Sequence, residues 1–417
     1  MQILIDELNE GLWVAAIQKD SFKRRRLVGL EIDPYEEEIR SGSVYWARVI
    51  RIDKNLDAAL VQLDEDNTGI LHNKDFYKLD KNGAYIRDGN TAIGKNLKEG
   101  DMLAVQAKSG YLPKIDGTDL TMEDKSARVS MNITLPGRYI IYAPLMGSNR
   151  ISKRIKDKKQ RKQLTKMLNN VETLQGCILR AAAMNTQTDV LMREGEILKH
   201  IWEELQEYLG GEEPFLVMDG PDSIRRTLSD QASVQISRID VSTLDQYKEV
   251  EEWCEIYAPD LVTKIHPAEL PKGMSGQESD LALFDFHDIL DQVDDLFDPY
   301  VLMNGGGNII IQETAALTAI DINRSSDTRS NLAINLDALT EIGRQIRLRN
   351  LGGIIMIDFL KMTKKAEKEK LLAAFDDVIN ADPCTVQVHG YTPLGLIELT
   401  RQRRTPPLQE RLDLALD

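Results

Sequence analysis

Three cysteines, five histidines and 6% aromatic residues in a 417-residue chain leave little material for several kinds of chemistry. Cys177, Cys254 and Cys384 lie far apart and form no CxxC pair, so neither a disulfide framework nor a zinc knuckle is written here. No structural zinc is expected, and the thiol content reads as that of a protein of the reducing cytoplasm. His72, His200, His266, His287 and His389 show no ligand spacing with one another or with cysteine. No apolar run approaches the roughly 20 residues of a membrane span, and Met1–Ile17 lacks the basic start and apolar middle of a signal peptide. A Ser/His/Asp signature is missing as well. Gly305–Gly307 lacks the GxGxxG pattern and leads into a strand, so it is not a nucleotide loop. Internal repeats and low-complexity tails are absent.

Positive charge is also short: 52 Lys and Arg stand against 67 Asp and Glu, for a formal charge of −15. That sum argues against a nucleic-acid partner, but its distribution does not, because local fields outweigh net charge. Arg150–Lys166 holds nine Lys or Arg and one Asp. It is either a solvated helix face or a phosphate-contacting patch. Glu278–Asp298 holds eight carboxylates and no Lys or Arg, with Leu290, Val293 and Phe297 at helical spacing. An amphipathic solvated helix accounts for it. A hydrophobic content of 42% with 29% charged residues describes a folded globular protein, and the length suggests two to four domains.

The first 35 residues read as strands: Gln2–Ile5, Gly11–Ile17 and Leu27–Ile32. Ser43–Ile52, Asp57–Leu63, Gly69–Leu71 and Asp101–Lys108 follow as short strands that suggest a small β-barrel. Polar Ser109–Lys125 reads as a loop. Arg128–Ile133, Tyr139–Ala143 and Gly176–Ala182 are further strand candidates, with helices around Lys158–Asn169 and Asp189–Tyr208. From Phe215–Met218 to Ser242–Tyr257, strand and helix alternate, which signals α/β layers rather than barrel.

The last third carries the chemistry. Ala316–Ile320 is an apolar strand ending at Asp321. A helix follows with Leu332, Leu336, Leu339, Ile342 and Ile346 down one face. Gly352-Gly353 stops it, and Ile354–Ile357 is a second apolar strand ending at Asp358. A crossover of this kind joins parallel strands. Near-continuous apolar runs suggest a sheet covered on both faces. Ligands of open α/β sheets bind outside the carboxyl ends of the strands, where two carboxylates can share a hard divalent cation such as magnesium. Alternatively, each aspartate merely caps the turn that follows. Asn323 falls on the side of Asp321 if the strand continues. Arg324 and Arg329 sit in the next loop, and Arg344, Arg347 and Arg349 end the helix. Carboxylates with arginines at one edge have the composition of a phosphodiester-cleaving site, although helix-terminal arginines also complement the dipole.

The strings GGGNIII, ALTAIDIN and RQIRLRNLGGIIMIDF in Asn304–Phe359, followed by Leu399-Thr400-Arg401-Gln402-Arg403, closely resemble the bacterial ribonuclease E/G family of single-strand RNA endonucleases. The resemblance runs over the whole chain, more weakly in the first 220 residues. It implies a multidomain α/β plus β-barrel fold. An RNase H-like subdomain (1–38 and 213–298) would be split by an S1 (OB-type) barrel (39–122) and a 5′-sensor region (123–212). A DNase I-like catalytic subdomain (299–417) would follow. On matching positions, Asp321 and Asp358 would be the magnesium ligands, with Asn323 beside them. Arg180 would contact the 5′-phosphate. Lys108, Arg324, Arg329, Arg344, Arg347, Lys156, Lys158, Lys159 and Lys162 complete the RNA-binding candidates.

Departures from the family pattern are informative. The two base-stacking aromatic positions of the S1 barrel are Leu60 and Ile70 here, which predicts a looser grip, since each stack is worth about 1–3 kcal/mol per base. The threonine beside the sensor arginine is Ala181. The family's glutamate in TEALTAID is Ala315, and its IDFIDM aspartate is Lys361. The loop after Asp321 is about six residues shorter than the family's. The CPxC zinc segment does not follow Arg411-Leu412, so a zinc-linked dimer is not expected; the oligomeric state stays open. The expectation is a magnesium-dependent endoribonuclease acting on single-stranded RNA and leaving 5′-phosphate and 3′-hydroxyl ends. Its rival is a divergent RNA-binding homologue with little cleavage. A scaffolding protein would leave the basic run and the paired aspartates unexplained.

Overall fold

The computed structural model describes every residue except 9–10, 21–22, 35–36, 38, 81–84, 88, 111–126, 270–280 and 417. The expected loop Ser109–Lys125 therefore lies almost wholly outside the described residues. The chain forms two compact units. One comprises Met1–Tyr35, Ile236–Tyr247 and Ile265–Asp417; the other comprises Glu36–Gln235 and Lys248–Lys264.

The second unit contains the barrel. Strands Val44–Asp53, Ala58–Gln62, Thr68–His72, Ala127–Ser130 and Met102–Ala107 pair in that order, and the last returns to the first, closing the sheet. Period-two alternation turns Ala47, Val49, Val61, Leu71, Leu103, Val105 and Val129 into its interior. Gly69 sits mid-strand because a Cβ there would press on Val129 and the Ala127 carbonyl. Phe215–Met218 corrects the sequence reading. It does not begin an α/β layer but pairs antiparallel with Val44–Asp53, a non-local partner that local alternation cannot reveal. Beyond the barrel, helices Lys158–Asn170 and Thr188–Tyr208 pack with a small four-stranded sheet through Leu168, Leu174, Leu191 and Leu198.

The first unit holds two sheets. In one, Gln2–Leu8 lies parallel to Arg238–Val241 and antiparallel to Gly11–Lys19, so strands from distant parts of the chain share a core. The acidic run, expected as one amphipathic helix, forms two short helices, Ala282–Phe286 and Leu290–Asp294. Asp288 between them adopts left-handed φ (57°), which breaks the helical path. The other sheet orders its strands Tyr300–Leu302, Asn308–Glu313, Thr318–Asn323, Gly353–Asp358, Ile397–Gln402 and Thr385–Tyr391. Only Thr318–Asn323 and Gly353–Asp358 are parallel within it.

Helix Asn331–Leu348 makes that crossover, and Lys365–Ala381 packs with it in one core with the sheet, through Leu339, Ile342, Ile346, Leu371 and Phe375. Ser330 caps the crossover helix by accepting from the Ala333 amide. Coverage on both faces, expected from the apolar runs, is not found. Ile320, Ile322, Ile355 and Ile357 are buried, whereas Asp321, Ile354 and Asp358 are exposed. The physical reason is that a single parallel pair needs a single crossover, so one face of the sheet stays open.

Candidate active site

Asp321 and Asp358 are direct register partners in the parallel pair. Neighbouring strands lie about 4.8 Å apart, so the two carboxylates arise from adjacent positions on one face. Both are exposed, on the open side of the sheet. The strand continues past Asp321, which returns Asn323 to the same face, and its Nδ2 donates to Asp321 Oδ2 at 3.0 Å.

The loop after Asn323 is tied into a fixed shape. Arg324 Nη1 donates to the carbonyls of Asp327 (2.8 Å) and Arg329 (2.7 Å), and its Nη2 donates to Asn331 Oδ1. Arg329 donates through Nη2 to Asp327 Oδ2 at 2.7 Å and also pairs with Asp337. This loop lies against the glycine turn. A Cβ at Gly305 would collide with Asp327 and Arg329, one at Gly306 with Ser326, and one at Gly307 with Met303 and the Asn323 carbonyl, which explains the run of three glycines. After Asp358, Asn335 Nδ2 donates to the Leu360 carbonyl (2.8 Å) while its Oδ1 accepts from the Leu360 amide (3.0 Å). Asn331 Nδ2 adds a bond to the Lys361 carbonyl at 2.8 Å. The crossover helix thus fixes the segments following both aspartates.

An all-oxygen donor set of two carboxylates and an amide suits a hard divalent cation. Among the described residues no group of three or more His, Cys, Asp or Glu is placed to hold a metal. An ion held by this pair would complete its shell with water and substrate oxygens, the usual way magnesium is bound.

A profile of the Ribonuclease E/G family matches residues 134–404. The chain is 30% identical to ribonuclease G of Salmonella typhimurium (strain SL1344) over 379 residues, 87% of this chain and 72% of that protein. It is 28% identical to ribonuclease G of Escherichia coli (strain K12) over 388 residues, 89% and 74% of the two chains. Ribonuclease E of Haemophilus influenzae (strain ATCC 51907 / DSM 11121 / KW20 / Rd) is 28% identical over 398 residues, 93% of this chain but 40% of that longer one. The chain belongs to the Ribonuclease E/G family. Membership makes it an enzyme of the endoribonuclease class.

Within this family member, the basic candidates fall into four groups. Arg324 and Arg329 lie beside the aspartates, but their donors are engaged in the loop. Arg344 is turned inward, donating to the Leu27 carbonyl at 2.7 Å and to Glu341 at 2.6 Å. Arg347 is half-buried on the same helix, and burial pulls its guanidinium below the usual range. A phosphate contact by these side chains would have to displace protein partners or draw the charge out of the core.

Arg180 and Lys108 belong to the second unit and are likewise occupied. Arg180 Nη2 donates to Asp230 Oδ1 and Nη1 to the Gly137 carbonyl, both at 2.9 Å. Lys108 Nζ donates to Gln106 Oε1 (2.9 Å) and the Asn132 carbonyl (2.8 Å), and burial lowers its pKa to about 8. Lys158, Lys159 and Lys162 are exposed in the first turns of their helix, and Lys156 is exposed just before it. Leu60 and Ile70 are direct partners across two barrel strands, flanked in the same row by Arg51 and Arg128.

Asn331, Asn335 and Asp230 were not singled out from sequence. The two asparagines leave a faint trace as amides within the first turns of an otherwise apolar-faced helix. Asp230 leaves none, being 50 residues from Arg180.

Proposed function

We propose that the chain is a magnesium-dependent endoribonuclease that hydrolyses single-stranded RNA to 5′-phosphate and 3′-hydroxyl ends in RNA processing or decay. The observation that carries this reading is the pairing of Asp321 with Asp358 on the open face of the sheet. Asp321 and Asp358 would hold the ion, which when bound supplies a Lewis acid for the phosphate and a means of activating water at neutral pH. Asn323 restrains the Asp321 carboxylate through its side-chain hydrogen bond. Asn335 and Asn331 hold the turn after Asp358 against the crossover helix, so neither carboxylate has to be ordered when substrate arrives.

In this reading the barrel is of S1 type (39–122) and residues 123–212 form a 5′-phosphate sensor around Arg180. Residues 1–38 and 213–298 are RNase H-like, and 299–417 are the DNase I-like catalytic part. The row Arg51, Leu60, Ile70 supports RNA contact at the barrel, with aliphatic rather than aromatic surface under the bases, while Arg128 at its far end is paired with Asp75 at 2.9 Å. A cytoplasmic setting is supported by Cys177, Cys254 and Cys384, all buried thiols outside any disulfide.

A second reading, an RNA-binding homologue with little cleavage, is favoured by one observation, the engagement of Arg180 by Asp230. Incubation of purified protein with 5′-labelled single-stranded RNA, with and without magnesium, beside an Asp321→Asn/Asp358→Asn variant, separates the two. Magnesium-dependent cleavage lost in the variant supports the enzyme; equal RNA binding without cleavage in both proteins supports the rival.

A further inference from the structure

Four side chains form one row across the open face of the catalytic sheet. Tyr300 on the edge strand pairs with Ile310, Ile310 with Asp321, and Asp321 with Asp358. Register partners project to the same side, so the row reads aromatic, aliphatic, carboxylate, carboxylate. Two strand spacings, about 10 Å, separate Tyr300 from Asp321 along the backbone.

Tyr300 is 59% exposed. Among the described residues its ring stacks on no other ring and its hydroxyl has no hydrogen-bond partner. Leu302, one row away, is 86% exposed, while Val301 between them is buried. The edge strand is only three residues long and follows Asp298-Pro299, which protects it from pairing, so edge defence does not account for its two exposed apolar side chains. Tyr300 and Leu302 also border a cleft of about 930 Å³ in which five carboxylates, Asp298 and Asp337 among them, outnumber four arginines. Such a cleft does not draw in a phosphate backbone. What the edge offers a polynucleotide is an uncharged surface for a base.

We propose that Tyr300 is the stacking platform for one base of the RNA, adjacent to the phosphate held at Asp321 and Asp358, and that it thereby sets the register of the strand at the cut. The proposal rests on the nuclease reading of those aspartates. Every base has a π-face, so the platform requires a base at that position without dictating which one. It is a specificity-determining residue rather than a catalytic one.

The test is a scan of single abasic sites along a short single-stranded RNA with one cut site, read as kcat/KM for the full chain. With wild-type protein, loss of one particular base beside the cut lowers kcat/KM on the order of five- to thirty-fold, the lower part of the range for base–aromatic stacking. Tyr300→Ala lowers kcat/KM on the intact RNA by the same factor and becomes indifferent to that abasic site. Tyr300→Phe keeps both the rate and the sensitivity. Tyr208→Ala, at another exposed ring (68%), changes neither. If Tyr300→Ala and every abasic site act additively, the platform is refuted while the nuclease stands. If wild-type protein with magnesium leaves the intact RNA uncut, the nuclease reading fails and takes the platform with it.

Discussion

Arg180 is the residue that should sense a 5′-phosphate, and its guanidinium is already held by Asp230 Oδ1 and the Gly137 carbonyl, both at 2.9 Å. The side chains are 21% and 7% exposed, so the pair is largely shielded from screening by solvent. A 5′-monophosphate must displace the carboxylate or approach beside it, and a like charge at the site opposes binding. Ala181 supplies no hydroxyl to offset that cost. A hydrogen bond to a charged group is worth about 1.5–3 kcal/mol, and both the engaged arginine and the missing hydroxyl draw on it. The wild-type protein is therefore expected to prefer 5′-monophosphate over 5′-hydroxyl RNA by less than about tenfold in kcat/KM.

Asp230→Asn keeps an acceptor for Arg180 but removes the negative charge, and should raise the preference by roughly tenfold through the monophosphate substrate alone. Adding Ala181→Thr should raise it again by a similar factor. The assay is cleavage of one RNA sequence prepared with either 5′ end, with thermal denaturation as a control, since the asparagine variant should lose only about 1 kcal/mol of stability. A wild-type preference near a hundredfold, or a ratio unmoved in both variants, would refute the reasoning.

Three further outcomes are expected. Asp321→Asn and Asp358→Asn should each abolish magnesium-dependent cleavage while leaving the fold intact, because both side chains are exposed and the change preserves shape; residual cleavage in the double variant, with contaminating nuclease excluded, would sink the site. Lys108 releases its proton near pH 8 when folded against 10.5 in the unfolded chain, so the unfolded state binds more protons between these values and stability climbs through that window. Lys108→Gln should remove a rise of up to roughly 3 kcal/mol, read from denaturant melts at pH 7.5 and 10. Replacing Lys156, Lys158, Lys159 and Lys162 with Gln should flatten the salt dependence of RNA binding, whose slope is about −0.7 per phosphate contacted, whereas parallel lines of equal affinity would leave the run a solvated face.

The paired aspartates were legible in the sequence because three local signals coincide: two apolar runs, an amphipathic helix between them, and the same residue closing each run. Asn323 was legible for a related reason, since strand periodicity fixes its side once the strand continues. The one-sided burial of the sheet was not legible. Ala-Ile-Asp and Met-Ile-Asp read as continuous apolar runs, and only pairing with antiparallel neighbours turns one face outward. Phe215–Met218 and the Arg180–Asp230 pair escaped detection because each depends on a partner far away in sequence, Val44–Asp53 in the first case and a helix end in the second. Arg324 reads as a phosphate ligand by composition, yet its donors are turned back onto the Asp327 and Arg329 carbonyls. Composition reports which charges exist; only geometry reports which remain available.

That distinction bears on how an acidic protein holds an anionic polymer. Arg24, Arg26, Arg128, Arg138, Arg180, Arg329, Arg344, Arg401 and Arg411 are each ion-paired within the chain. Arginine is the stronger, bidentate phosphate ligand, so committing it internally surrenders the tighter grip. Lysine behaves differently here: Lys158, Lys159 and Lys162 are exposed in the first turns of their helix, with no acidic residue in the first turn. Positive charge at a helix N-terminus opposes the macrodipole, at a cost of about 0.3–1 kcal/mol per charge, which the Asp157 carboxylate at the N-cap offsets in part. Asp157 caps that N-terminus, its Oδ1 accepting from the Gln160 amide at 2.6 Å, so a phosphate backbone would meet the lysines rather than the first-turn amides. Lysines hold phosphate as point charges without fixed geometry, so a grip provided by this run would be steeply salt-dependent and blind to sequence. On that proposal the choice of the cut would come from elsewhere, and the open sheet face beside Asp321 is the place the Tyr300 test examines.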